Sequence, residues 1–207
     1  MAEPTQNSET PERIVVVHGL SANRLVMYPL CWRLRRAGYQ VTNWAYPSFT
    51  ANVKFHAQRL RDFLCQECQH ESRVHLLAHS LGSIVVRTAL AIEPPPNLGR
   101  VVFLAPPNQG TPFAHRAGKI VGKYIPIVNE LSDRPDSFIK RLPTAVPTDL
   151  GVIAARFDVL VPVANTHLEG EKEHVVLNAT HNSLLISSKV VQMACSFFQT
   201  GKFYASP

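Results

Sequence analysis

The sequence predicts an α/β protein, a mainly parallel sheet of about six strands with helices on both faces. Three observations predict it. Short runs such as Arg13-Ile-Val-Val-Val17 and Arg100-Val-Val-Phe-Leu-Ala105 are almost continuously apolar, as in strands covered on both faces. Segments with apolar residues at helical spacing alternate with these runs. Residues suited to nucleophilic and acid–base chemistry fall just after strands, at the carboxyl edge where such sheets collect reacting groups.

The elements follow in order. Residues 1–12 are polar and are expected to be loosely attached, leaving a single domain over 13–207. The strand 13–17 ends in the loop His18-Gly19-Leu20-Ser21, where Gly19 lets the backbone approach its surroundings and the Leu20 amide is free to point at an oxyanion. A helix over 26–37 carries Leu30 and Leu34 on one face and arginines largely on the other, with Gly38 at its exit. Tyr39 to Tyr46 is the second strand and roughly 51–69 the next helix. The central strand 73–79 leads through Ser80 into a helix that stops before Pro94-Pro95-Pro96. After the strand 100–105 comes a rigid loop, Pro106 to Pro112. From 113 to about 148 the periodicity weakens, with short helices around 113–123 and 127–131 between prolines. This insertion is expected to cover a pocket, with Phe113, Ile120, Val121, Ile125, Ile127 and Val128 near its mouth. Strands 151–157 and 174–179 flank a long loop with one helical turn, and a final helix runs over 183–199.

The totals limit the function classes. The 207 residues suffice for one sizeable core, and no apolar run approaches the roughly 18 residues that span a bilayer. Met1 to Arg13 lacks an apolar segment of signal-peptide type, which favours a cytoplasmic location. The net charge of +6 comes in small groups, Arg33, Arg35 and Arg36, Arg59 and Arg61, Lys119 and Lys123. Without interleaved aromatics these read as solvated helix faces rather than a nucleic-acid site, and an anionic interface or acidic substrate stays open. Cys65 and Cys68, with His70 and His75 nearby, invite a metal reading. Yet Ala57, Leu60, Leu64 and Cys68 recur at helical spacing, so Cys68 reads as a core residue and no metal or cofactor is expected.

The stretch Arg73 to Ser83 organises the rest. A buried strand turns sharply at Ser80 into an apolar helix, with small residues two before it (Ala78) and two after it (Gly82). Bulky side chains there would collide, and the pattern is that of a nucleophile elbow with Ala in place of the first glycine. Alone it also fits a serine capping a helix. Ser80, Asp158 and His181, however, follow three separate strands in that chain order, and a serine hydroxyl needs an imidazole base that a carboxylate orients. His79 reads as a buried neighbour of the serine, His18 as shaping the oxyanion loop, and Glu169 as the rival acid, mid-loop.

Over residues 13 to 204 the chain resembles the small bacterial α/β-hydrolase lipases and esterases, the compact branch without a large cap domain. The matching pieces are Val15-Val-Val-His-Gly-Leu20, Ala78-His-Ser-Leu-Gly82, Leu104-Ala-Pro-Pro-Asn-Gln-Gly-Thr111, Asp158-Val-Leu-Val-Pro162 and Thr180-His-Asn-Ser-Leu-Leu185. The resemblance implies an α/β-hydrolase fold, a Ser80–Asp158–His181 triad, an oxyanion hole from the amides of Leu20 and Leu81, and a pocket bordered by the loop of Pro107 and Asn108, to which their places at the strand ends add His18, Gly19 and His79. Phe157 departs from it, since many relatives have glycine before the aspartate. The implied activity is hydrolysis of a small-molecule ester or lipid through an acyl-enzyme, by a monomer with no cofactor, no nucleic acid and at most transient contact with a lipid interface. Acyl transfer, thioester or amide hydrolysis on the same triad, or a non-catalytic binding role, stay as alternatives.

Overall fold

The computed structural model describes residues 12–20, 22–68, 72–122 and 125–204. Apart from Glu12, the loosely attached N-terminal segment expected over 1–12 lies outside the described residues, as do Ser21, His70, Lys123 and the side chain of Val121.

Six strands, β1 (Arg13–Val17), β2 (Gln40–Trp44), β3 (Val74–His79), β4 (Leu98–Leu104), β5 (Leu150–Ala155) and β6 (Glu173–Leu177), form one sheet in the order β2-β1-β3-β4-β5-β6. Every pairing is parallel. The register sets Val17 beside Ala78 and His79 beside Leu104, so the ends of β1, β3 and β4 come level at one edge.

Side chains alternate across the strands and split the core in two. Val15, Val17, Leu76, Ala78, Val101 and Phe103 pack against α2 (Val53–Glu67) and α3 (Leu81–Ile92). Ile14, Val16, Leu77, Val102, Leu104 and Ile153 pack against α1 (Arg24–Arg36) and a C-terminal helix. The helices start where short polar side chains cap them: Asn23 accepts from Leu25 and Val26, and Asn52 from Phe55. α3 is buried from Leu81 to Leu90, which explains why its sequence is apolar on all sides.

The irregular segment contains α4 (Pro112–Val121) and α5 (Pro126–Glu130), which pack on each other, and a short 3-10 turn at Ile139–Arg141. Ile127 and Val128, expected at a pocket mouth, instead join the core beside α2 and α3; Phe113 and Ile120 are exposed. The final helix differs from the expected 183–199. Ser183–Ile186 is a separate 3-10 turn, and α6 (Ser188–Thr200) begins afresh because Ser187 accepts a hydrogen bond from Val190.

Candidate active site

At the end of β3 the chain enters α3 through Ser80, whose φ of 53° and ψ of −125° lie where a side chain is strained. Close approach enforces this conformation. A Cβ on Gly82 would sit 2.5 Å from the His18 carbonyl oxygen, and one on Gly19 would sit 2.9 Å from Ser80 Cβ. Ser80 occupies the N-cap position of α3 but makes no side-chain capping bond, which removes the helix-cap reading. Its amide donates to the Leu104 carbonyl at 2.9 Å. Half-buried, its hydroxyl stands at the N-terminus of α3, where the helix dipole favours negative charge.

The β1 loop is held against this turn. The Tyr46 amide donates to His18 Nε2 at 3.3 Å, so the ring hydrogen is on Nδ1, which donates to the Gly19 carbonyl at 2.8 Å. Tyr46 also donates its hydroxyl to the His18 carbonyl and stacks on the imidazole at 4.5 Å. Burial lowers the His18 pKa and keeps it neutral. Among the described residues, the amides of Leu20 and Leu81 donate to no acceptor. Tyr46 was not singled out from the sequence, although its place just beyond the second strand puts it at the same sheet edge.

Asp158 follows β5, and one of its oxygens accepts from the amides of Leu160 at 2.8 Å and Val161 at 2.9 Å. The other accepts from His181 Nδ1 at 2.6 Å. Burial opposes the charge on Asp158, but the His181 hydrogen bond and these amides outweigh it and lower the pKa. Phe157 is not at positive φ; its amide donates to the Ala179 carbonyl, so the turn into Asp158 needs no glycine. His181 sits beside the elbow: its carbonyl accepts from His79 Nε2 at 3.1 Å, and the two rings lie 4.7 Å apart. Among the described residues no hydrogen bond links Ser80 Oγ to His181.

Pro107 and Asn108 are buried, and their loop is pinned rather than open. Asn108 donates to the Thr166 carbonyl, and Asn165 donates to that of Gly110. Arg87 of α3, almost fully buried, donates to the carbonyls of Asn108, Leu142 and Pro143. A further strained residue is Ala105, with φ of 45°, just past β4. Glu169 is exposed, and Asp149 pairs with Arg100 and Lys172. A cavity of about 520 Å³ opens in the irregular segment among His115, Lys119, Glu130, Ser137 and Arg141; Ser80, Asp158 and His181 do not line it.

The Cys65–Cys68 metal reading does not fit. Cys68 is buried in the core, and His75 is held by Glu12 at 3.1 Å and by the Arg100 amide; His70 lies outside the described residues. His167, Glu171 and His174 bring three donors together, but the two imidazoles stack 3.8 Å apart at 19°. Lone pairs lie in the ring planes, and nearly parallel planes that far apart share no nearby point for one ion.

Several solved structures share the fold. Lipase BlEst2 of Bacillus licheniformis in its mature form superposes with a TM-score of 0.70 at 18% identity, covering 97% of this chain and 96% of that one. Its propeptide form gives 0.69 at 19%, covering 84% of this chain and 47% of that longer one. A lipase-esterase related protein from Clostridium acetobutylicum gives 0.64 at 17%, with 92% and 96% covered. A search of curated protein sequences found no match. Residues 14–188 match the profile described as the alpha/beta hydrolase family. With this match over most of its length and the six-stranded parallel sheet, the chain belongs to the alpha/beta hydrolase family.

Proposed function

We propose that the protein hydrolyses carboxylic esters through an acyl-enzyme on Ser80. The observation that carries the reading is the Ser80 turn, a strained serine with an uncommitted hydroxyl at a helix N-terminus beside a carboxylate-bound imidazole. Because His181 Nδ1 donates to Asp158, Nε2 is left as the base. In the first step Ser80 Oγ bonds to the ester carbonyl carbon and its proton passes to His181 Nε2. The amides of Leu20 and Leu81 stabilise the oxyanion. The C–O bond to the alcohol breaks as His181 returns the proton to it. Water then attacks the acyl carbonyl as His181 takes its proton, and the bond to Ser80 Oγ breaks as His181 returns that proton to the serine, releasing the acid. Asp158 stays ionised, orienting the imidazole and stabilising its cation. The lipase and esterase names of the structural relatives support the same reading.

In this reading the 113–148 segment is a partial cover, with exposed Phe113 and Ile120 as the apolar groups that meet longer acyl chains. The test is hydrolysis of p-nitrophenyl esters across chain lengths, with the Ser80→Ala protein as blank, together with fluorophosphonate labelling. Hydrolysis and labelling that both disappear in Ser80→Ala are expected. A wild-type protein that neither cleaves nor labels would be a binding protein on this scaffold.

A further inference from the structure

The first helix is apolar on two sides. Met27, Leu30, Cys31 and Leu34 of α1 are buried against the sheet. At about 100° per residue, Leu25, Tyr28, Pro29, Trp32 and Arg36 fall on the opposite side. There Leu25 is 79% exposed, Tyr28 58% and Trp32 43%, with Val26 beside them at 43%. A solvated helix ordinarily turns a polar face outward, so this one has a surface of its own to account for. The 183–186 turn packs on α1, and its Ile186 is also exposed.

Charge chooses the occupant. Residues 24–36 include Arg24, Arg33, Arg35 and Arg36 and no acidic residue. The neighbouring elements β2 and α6 contain no acidic residue either. Two copies meeting on this face would bring like charges together, whereas anionic headgroups would neutralise them. Tyr28 and Trp32 have the amphipathic rings that suit the headgroup level, and the Arg36 guanidinium sits 5.0 Å over the Trp32 ring, leaving the cation at the rim of the apolar patch. Among the described residues no helix is long and apolar enough to cross a membrane, so the contact is with a surface.

We propose that the outward face of α1 is a docking surface for an anionic lipid bilayer, with the helix lying in the plane of the interface. α1 starts four positions after Leu20, so a docked molecule holds the sheet edge that carries Ser80 close to the lipid. The inference does not depend on ester hydrolysis, and the Ser80→Ala protein is used so that no lipid is consumed.

The experiment is co-sedimentation of that full-length protein with vesicles of phosphatidylcholine alone, or of phosphatidylcholine and phosphatidylglycerol in a three-to-one ratio. Binding to the anionic vesicles, weakened by salt and at least about tenfold weaker on neutral ones, is expected. Trp32 emission should move to the blue on binding, while buried Trp44 reports nothing. Adding Leu25→Ser, Tyr28→Ser and Trp32→Ser together should abolish binding while lowering the melting temperature by only a few degrees, the cost of serine in a helix at positions outside the core. Restoring Ser80 in this triple variant should leave turnover of a water-soluble ester as in the wild type. Lack of binding to anionic vesicles, or equal binding by the triple variant, would overturn the proposal. So would a dimer in solution that the triple variant dissociates, which would make a second copy the occupant.

Discussion

His79 donates its Nε2 hydrogen to the backbone carbonyl of His181 across 3.1 Å, joining the residue before Ser80 to the loop that follows β6. The bond fixes the tautomer, so Nδ1 carries the lone pair, and that atom is buried without a partner. Burial, reinforced by the neighbouring His181, pushes the His79 pKa down to about 3.

Neutral His79 makes the fold sensitive to acid. Between its unfolded pKa near 6.5 and its folded value of about 3, the unfolded chain binds a proton that the native one does not. Stability is therefore full above the unfolded value and falls as pH drops through this window, by at most about 1.4 kcal/mol per pH unit from this one group. Melting curves from neutral pH down to the carboxylate range should be flatter for His79→Gln than for wild type. Parallel curves would mean that His79 is charged in the native state.

Ser80→Ala should abolish hydrolysis and covalent labelling at little cost in stability. Ser80→Gly should be the more stable of the two, because φ of 53° with ψ of −125° suits only glycine. Released strain of about 1–3 kcal/mol, less glycine's entropic cost of about 0.5–1 kcal/mol, sets the size of the gain. Thermal melts of the two variants side by side decide it.

Gly82→Ala tests the same turn from its other side. The added methyl would meet the backbone oxygens of His18 and Val17 at 2.5 and 2.6 Å, and neither can rotate away. α3 must move from β1, carrying the Leu81 amide with it. A loss of about 1–3 kcal/mol in stability is expected. Hydrolysis should fall in kcat more than in KM, because the displaced amide serves the transition state.

For the acid, Asp158→Asn keeps the shape but favours the wrong His181 tautomer. The expected loss in kcat/KM on a short-chain ester is about ten-thousand-fold, as in a related constellation. Glu169→Gln, at an exposed site, should stay within about threefold. A large loss at Glu169 with near-normal activity at Asp158 would reverse the assignment.

Much of the fold was legible because the inner strands are buried on both faces and read as nearly continuous apolar runs: Ile14–Val17, Val74–Ala78 and Val101–Leu104 needed no long-range information. The places of Ser80 and Asp158 could be read for the same reason, since β3 and β5 are buried throughout, whereas His181 follows the half-exposed β6 and was found from its short Val175-Val176-Leu177 run. The break at Ser187 was hidden, because Leu184, Leu185, Val190 and Val191 are all core residues and keep an apolar pattern through it. A capping serine inside that pattern looks like any helical serine. Ile127 and Val128 were misplaced because helical spacing says which residues share a face, not what that face meets. The ties from His79 to His181 and from Tyr46 to His18 span 102 and 28 positions, and residue spacing has no signal for them.

Arg87 and Thr111 together set how the irregular segment can deform. At one end Thr111 pairs with Ser132 in a bridge, and its hydroxyl donates to the Leu160 carbonyl. At the other, the guanidinium of Arg87 grips the carbonyls of Leu142 and Pro143 and, through Asn108, the loop before Thr111. Both anchors reach into elements fixed by the sheet, so the stretch behaves as a strap buckled at its two ends. Between them Ile127 and Val128 of α5 are buried beside α2 and α3, and the Val53 amide donates to Glu130, so the strap is also stitched down at its middle and α4, with Phe113 and Ile120 exposed, is the stretch left with the fewest ties.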